Sequence, residues 1–370
     1  MRGKCDCVAE SCSGQVSGGL SGKRFGKRFG KRFGTQFGVL VFCAIVALFA
    51  GLTFALLGCS PQGHVEEPTP GVGANPGPVI EEPSVPEEDL LEGLFFVSIG
   101  NNPSARPQSG LSQATIVFEA PAEGGITRLM AGFTRKVDKI GPVRSARKPL
   151  VQVAAGYGAP YAHCGGSADS FEIIRTQKIH SLDEIYTAGE CFWRSSDRSA
   201  PDNLYTSTDK LADGASRRGY EVSLPLFSEK GTLLGTPAVY VSYQFSNNPK
   251  YPDLVEYYYE ESGYRRCING IDHMVDGDEV IAPKALVFLQ VKTTYPVGKL
   301  IEIDMDVTRE GKALFFSNGV MAEGTWEKPS LKEPLKFAID GNTPVLEDGL
   351  IWVHLVPDLA KLNVKDVLGD

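Results

Sequence analysis

Tyr161-Ala162-His163-Cys164-Gly165-Gly166-Ser167-Ala168-Asp169-Ser170-Phe171-Glu172-Ile173-Ile174-Arg175 is a strand, a turn and a helix in fifteen residues. A short apolar run ends at His163 and two glycines follow. From Ala168 the apolar positions Phe171, Ile173 and Ile174 fall at helical rather than alternating spacing. Ser167 stands where a side-chain oxygen can accept a free backbone N–H, and Asp169 sits in the first turn, where the helix dipole favours an acid. Upstream, Leu94–Ile99, Ala114–Phe118 and Ile126–Phe133 are apolar runs of strand length, and Leu150–Ala155 opens as a helix. Residues 94–232 therefore read as a mixed α/β N-terminal domain.

Downstream the pattern changes. Strand-like runs recur at Ala238–Phe245, Leu254–Glu260, Ala285–Thr293, Ile301–Asp306, Leu314–Ser317 and Leu350–Leu355. Asn269-Gly270, Asp276-Gly277, Asn318-Gly319, Asp340-Gly341 and Asp348-Gly349 punctuate them, pairs suited to tight hairpins. Short strands with such turns predict a sandwich or curled antiparallel sheet over residues 233–370. The fold class is α+β: a mixed α/β half followed by a mostly antiparallel β half.

Two further segments precede these. Lys23-Arg24-Phe25-Gly26 repeats through Gly34, and an uncharged apolar run from Val39 to Leu57 closes with Leu56-Leu57-Gly58-Cys59. A basic region, an apolar region and small residues at a cut describe a secretory signal over residues 1–58. The ending resembles a lipobox, which implies diacylglycerol on Cys59 and a body tethered to the outer face of the cytoplasmic membrane. The competing reading is an uncleaved membrane span, since a span needs about 20 apolar residues. Both put the basic end inside. Residues 59–93 form a Pro/Glu-rich tether: Pro61, Pro68, Pro70, Pro76, Pro78, Pro83 and Pro86 block helix and favour extended, solvated chain.

Charge narrows the partners. The 370 residues carry −8 at pH 7, and the first 58 hold eight Lys or Arg against two Asp or Glu, leaving −14 on the rest. Such a body lacks the cationic footprint that nucleic-acid affinity requires. No nucleotide-binding fingerprint is present, and the five histidines, His64, His163, His180, His273 and His354, show no metal-ligand spacing. Neither a metal nor a cofactor is expected.

Arginine is the informative residue type. Arg106, Arg128, Arg144, Arg147, Arg194 and Arg198 lie in loop-rich segments of an acidic chain, and a guanidinium fork matches carboxylate or phosphate. With the Gly165-Gly166-Ser167 turn into a helix start, they predict an anion-binding pocket; pairing with local acids is the alternative. Glu119 and Glu123, with His163, are candidate acid/base groups for glycan cleavage. Cys164 and Cys191 are candidates for a disulfide, with free buried thiols the alternative. Trp193, Trp326, Trp352 and Tyr257-Tyr258-Tyr259 either stack on sugars or pack half-buried strands.

Asn102-Pro103-Ser104-Ala105-Arg106-Pro107-Gln108-Ser109-Gly110-Leu111 resembles the opening signature of the YerB-like lipoproteins, a family of unknown function. The likeness runs through Glu123-Gly124-Gly125-Ile126-Thr127-Arg128, Ile140-Gly141-Pro142-Val143-Arg144-Ser145-Ala146-Arg147, Phe192-Trp193-Arg194 and Ala200-Pro201-Asp202-Asn203-Leu204-Tyr205, and more loosely through Gly324-Thr325-Trp326-Glu327-Lys328. It spans about residues 94–357. The family usually has a small residue at position 164 and a His at position 202, where this chain has Cys164 and Asp202. The resemblance implies an envelope address and two parts, the second mostly β, and no reaction.

Two functions follow. The first is a non-enzymatic module binding an anionic cell-wall component or an envelope protein. The second is a phosphotransferase or hydrolase acting on envelope glycan. Residues 114–190 resemble the LytR-CpsA-Psr family in the order of their elements, although that family's Arg/Asp motif has no clean match.

Overall fold

A computed structural model of the chain describes residues 89–223, 227–248, 251–295 and 303–367. The signal, most of the tether and the expected lipidation site Cys59 lie outside the described residues. Strands dominate, so the α+β reading holds in that coarse form. Among the described residues no helix is long and apolar enough to cross a membrane.

The elements that position the site are β1 (Leu90–Gly100), β2 (Ile116–Pro121), β3 (Thr127–Arg135), α1 (Lys148–Ala154), β4 (Tyr161–His163), α2 (Ala168–Gln177), β5 (Ser181–Asp183) and α3 (Thr208–Arg217). The later half adds β6 (Tyr240–Asn248), β7 (Tyr251–Glu260), β8 (Gly263–Ile268), β9 (Ile271–Asp272), β10 (Ala285–Gln290), β11 (Glu310–Ser317), β12 (Val320–Glu327), β13 (Lys336–Ala338), β14 (Ile351–Val356) and β15 (Asn363–Lys365). One central sheet runs β13-β12-β11-β10-β14-β2-β3-β1-β4-β5, and a second runs β9-β8-β7-β6-β15.

The second sheet is antiparallel throughout. The central sheet is mixed, although its later strands pair antiparallel apart from β10 with β14. β14 lies parallel to β10 on one side and to β2 on the other. Its six residues, Ile-Trp-Val-His-Leu-Val, are all buried, as expected of a strand covered on both faces. Four of the five Asn-Gly and Asp-Gly pairs form turns with both residues at positive φ; Asp348-Gly349 is a bend in which only Gly349 does so. Asn318 and Gly319 both take positive φ, 53° and 72°, at the β11–β12 hairpin, and Asn269 and Gly270 do so at β8–β9, 53° and 74°.

Alternation along the central strands builds two cores. Val97, Ile99, Val117, Leu129 and Trp352 pack toward the second sheet with Val241, Val255, Tyr257 and Tyr264, and α3 joins them through Leu211 and Ala215. Phe96, Phe118, Met130 and Val353 face the other way and bury α1 through Leu150, Val151, Val153 and Ala154. Ser167 caps α2 as its position predicts, accepting from the Ser170 N–H at 3.3 Å.

Candidate functional site: an arginine cluster and a buried polar network

Neighbouring residues at one end of the central sheet send polar groups to opposite faces. Arg128 on β3 shares the helix-side face with Met130, and Thr127 beside it shares the other face with Leu129. Glu119 and Ala120 divide in the same way on β2.

On the helix side, Arg128 is 2% exposed. Its Nη1 donates to the Ser145 carbonyl at 3.2 Å, an oxygen that also accepts from Ser98 Oγ at 3.1 Å. Its Nε has no hydrogen-bond partner. Arg147 Nη1 donates to Ser145 Oγ at 2.7 Å and to the Ala146 carbonyl at 3.0 Å, while its Nε pairs with Glu123 at 2.6 Å. Arg144 Nη1 stands 3.6 Å from Asp202, which also accepts from Ser104 Oγ at 2.8 Å. Burial, then the adjacent Arg147 and Arg144 charges, pushes the Arg128 guanidinium down to about 9.

The glycine turn meets this cluster through the backbone. The Ala146 N–H donates to the Gly165 carbonyl at 2.9 Å, and the Cys164 N–H to the Arg144 carbonyl at 3.1 Å. Gly165 takes φ +66°, and a Cβ there would stand 3.1 Å from Ile185 Cδ1. A Cβ on Gly166 would stand 3.2 Å from that of Ala146. Beside the turn opens a pocket of about 380 Å³ lined by Glu123, Arg147, Lys148, Ser167, Asp169 and Asp304 among others. Arg128, Arg144, Arg147, Gly165, Gly166 and Ser167 thus come together. Arg106 and Arg194 stand apart. Arg194 is a surface group paired with Glu184 at 3.3 Å and Asn203 at 3.0 Å. Arg106 holds the side chain and carbonyl of Asn101 at 3.2 and 2.6 Å.

Across the sheet, Glu119 is fully buried. It accepts from Arg266 Nη2 at 3.0 Å, Trp352 Nε1 at 2.8 Å, Thr127 Oγ1 at 2.7 Å and Asn101 Nδ2 at 3.2 Å. Arg266, also fully buried, donates to His273 Nδ1 at 3.0 Å and to the Tyr257 hydroxyl. Burial alone would lower its pKa, but Glu119, Tyr257 and Asp253 outweigh that and hold it above the usual arginine value. Sequence reading found Glu119 and missed Arg266, Tyr257, His273, Trp352 and Asp253 as its surroundings.

The acid/base candidates do not share a site. Glu119 faces the second sheet, whereas Glu123 lies with Arg147 on the helix side. His163 is buried, with Nδ1 2.8 Å from the Gly165 carbonyl and Nε2 2.9 Å from Ser181 Oγ, and burial lowers its pKa despite Asp183 nearby. No bridge joins Cys164 and Cys191, which corrects the disulfide expectation. Cys164 Sγ is turned to Glu184 at 3.2 Å, and Cys191 is packed against Gly214 of α3. Trp352, Tyr257 and Trp326 serve packing, the first two fully buried and the third 2% exposed, whereas Trp193, Tyr258 and Tyr259 are half-buried. Among the described residues no group of His, Cys, Asp and Glu could hold a metal ion.

Residues 82–221 match the N-terminal domain of a family described as protein of unknown function, DUF3048, and residues 239–353 match its C-terminal domain. The chain is similar to the protein named "Putative lipoprotein YerB" of Bacillus subtilis, at 29% identity over 333 residues, 87% of this chain and 96% of that protein. It is also similar to the crystal structure of YerB protein from Bacillus subtilis. The TM-score is 0.66 at 28% identity, covering 76% of this chain and 97% of the other.

Proposed function

This chain belongs to the YerB-like, DUF3048 family, and from that premise we propose that it is a lipid-anchored envelope protein that binds an anionic cell-wall component. The anchor is the thioether of Cys59 on the outer face of the cytoplasmic membrane, residues 59–93 are the spacer, and residues 94–232 and 233–370 are the two parts of the body. Supporting the address are the printed name of the relative and the Leu56-Leu57-Gly58-Cys59 ending in this sequence.

One observation carries the binding reading. Three guanidiniums, Arg128, Arg144 and Arg147, gather around Ser145 with two carboxylates, Glu123 and Asp202, beside them. The cluster keeps an excess positive charge at a largely buried place, with the Arg128 Nε unpartnered. Like charges crowded in low dielectric call for an anion. Binding is favoured over catalysis because Glu119, Glu123 and His163 are each committed to other partners on different sides of the sheet.

Loss of one charge-assisted hydrogen bond removes about 2 kcal/mol, roughly thirtyfold in affinity. Arg144→Ala and Arg147→Ala should each weaken binding of a small phosphorylated wall fragment by about that factor with little change in melting temperature. Unchanged affinity in both variants refutes the site. Cys59→Ala should release the chain from the membrane fraction, and a variant that stays membrane-bound refutes the anchor.

A further inference from the structure

The geometry points to a zwitterionic ligand for the pocket beside Arg147: a phosphate or carboxylate carried a few bonds from a primary ammonium. This inference rests on the binding reading above and gives it a ligand class.

The pocket, about 380 Å³, is the size of a small head group rather than of a polymer segment. Its charged lining is of both signs. Arg147 is bridged to Glu123 at 2.6 Å and Lys148 to Asp304 at 2.6 Å. Asp169, exposed on the first turn of α2, has no ion pair among the described residues. Pro121, Pro149 and Ile303 supply apolar wall between these groups.

Two independent features set what such a pocket accepts. Of the three guanidiniums only Arg147 lines the pocket, but Arg128, almost wholly buried with its Nε unpartnered, donates to the same Ser145 as Arg147 and adds its charge to that side, which favours negative charge. Around the mouth, three carboxylates stand among two cations, so a plain polyanion entering there meets Asp169 and Asp304 at close range. Like-charge juxtaposition rejects ligands as effectively as attraction selects them. A lone ammonium meets the opposite problem at the arginines. A short molecule with both charges satisfies each wall, its anion toward Arg147 and its ammonium toward Asp169, with its carbons against the prolines.

Calorimetric titration of the full-length protein in detergent micelles tests this with O-phosphoethanolamine, glycerol 1-phosphate, ethanolamine and alanine. A zwitterion, phosphoethanolamine or alanine, should bind at least about tenfold tighter than glycerol 1-phosphate or ethanolamine. Asp169→Asn should remove that advantage and strengthen glycerol 1-phosphate binding by relieving the repulsion, while Arg147→Ala weakens every anion. Glycerol 1-phosphate binding as tightly as both zwitterions, or an advantage that survives Asp169→Asn, overturns the ligand class and leaves the arginine site standing. Ethanolamine binding as tightly as the zwitterions also overturns it. If none of the probes binds, the arginine site falls with the inference.

Discussion

Asp253 is 3% exposed at the edge of the Glu119 network, and its Oδ1 has no hydrogen-bond partner. Burial first, and the Glu119 charge second, raise its carboxyl to about 7, against the pull of Arg106, Arg266 and the Thr127 hydroxyl. In an unfolded chain the same group titrates near 3.9, roughly. Between those values the folded protein binds the extra proton, so this contribution to stability is complete below about pH 4 and is lost as pH rises through about 7. Melting temperature should therefore climb on acidification from pH 8 to pH 5, and Asp253→Asn should flatten that stretch of the profile. A variant with the wild-type slope would assign the pH dependence elsewhere. Glu190, Asp272 and Asp306, whose carboxyls lie below their usual range, act in the opposite sense at lower pH. None of this was legible from residue type. Glu119 and Arg106 were recognisable as candidates for chemistry, but Arg266, which meets Glu119, lies 147 positions away in sequence. A burial that only tertiary pairing creates leaves no local signal.

Local chemistry made several elements legible, though not all that possess it. Ser167 and the Asn-Gly turns specify their conformations by side-chain capping and positive φ, so α2 and the β11–β12 hairpin stand where the sequence puts them. Helix α3 went unread although Ser207 caps it and Asp209 sits in its first turn; its buried stripe, Thr208, Leu211, Gly214 and Ala215, holds a single large apolar residue. Its glycine has a packing reason. A Cβ on Gly214 would come 2.2 Å from Cys191 Sγ, far inside contact distance. Gly214→Ala should thus destabilise the protein by about 1–3 kcal/mol through overpacking, although alanine is intrinsically about 1 kcal/mol better in a helix. Combining it with Cys191→Ala removes the obstructing sulfur and should recover most of the loss beyond the cost of the cysteine change alone. Urea unfolding of the four chains measures this coupling, and simple additivity would show that the sulfur is not what excludes a side chain at 214.

At the scale of the whole molecule, the two halves are joined by a strand that belongs to the sequence end of one and the spatial centre of both. β14 lies between β10 and β2, and it was visible as a strand-like run broken only by His354, whereas its parallel placement between strands from different halves was not. Period-2 patterning reports which faces are covered but not which neighbour supplies the ladder. Ile351, Trp352, Val353, Leu355 and Val356 are buried at 6% exposure or less. At about 2 kcal/mol for each side chain, their burial is comparable with the entire net stability of a domain, about 5–15 kcal/mol. A chain ending at Gly349 should therefore lose its cooperative urea transition, because β2 and β10 both become open, apolar edges. A chain ending at Asp358 keeps β14 and sheds the short turn Leu359–Lys361 and β15, an edge strand of the second sheet that pairs with β6 alone. It should still unfold in one transition, at lower urea. Circular dichroism across a urea series compares the two truncations directly. A cooperative transition in the shorter chain would mean that residues 89–349 close their core without the strand that connects the halves.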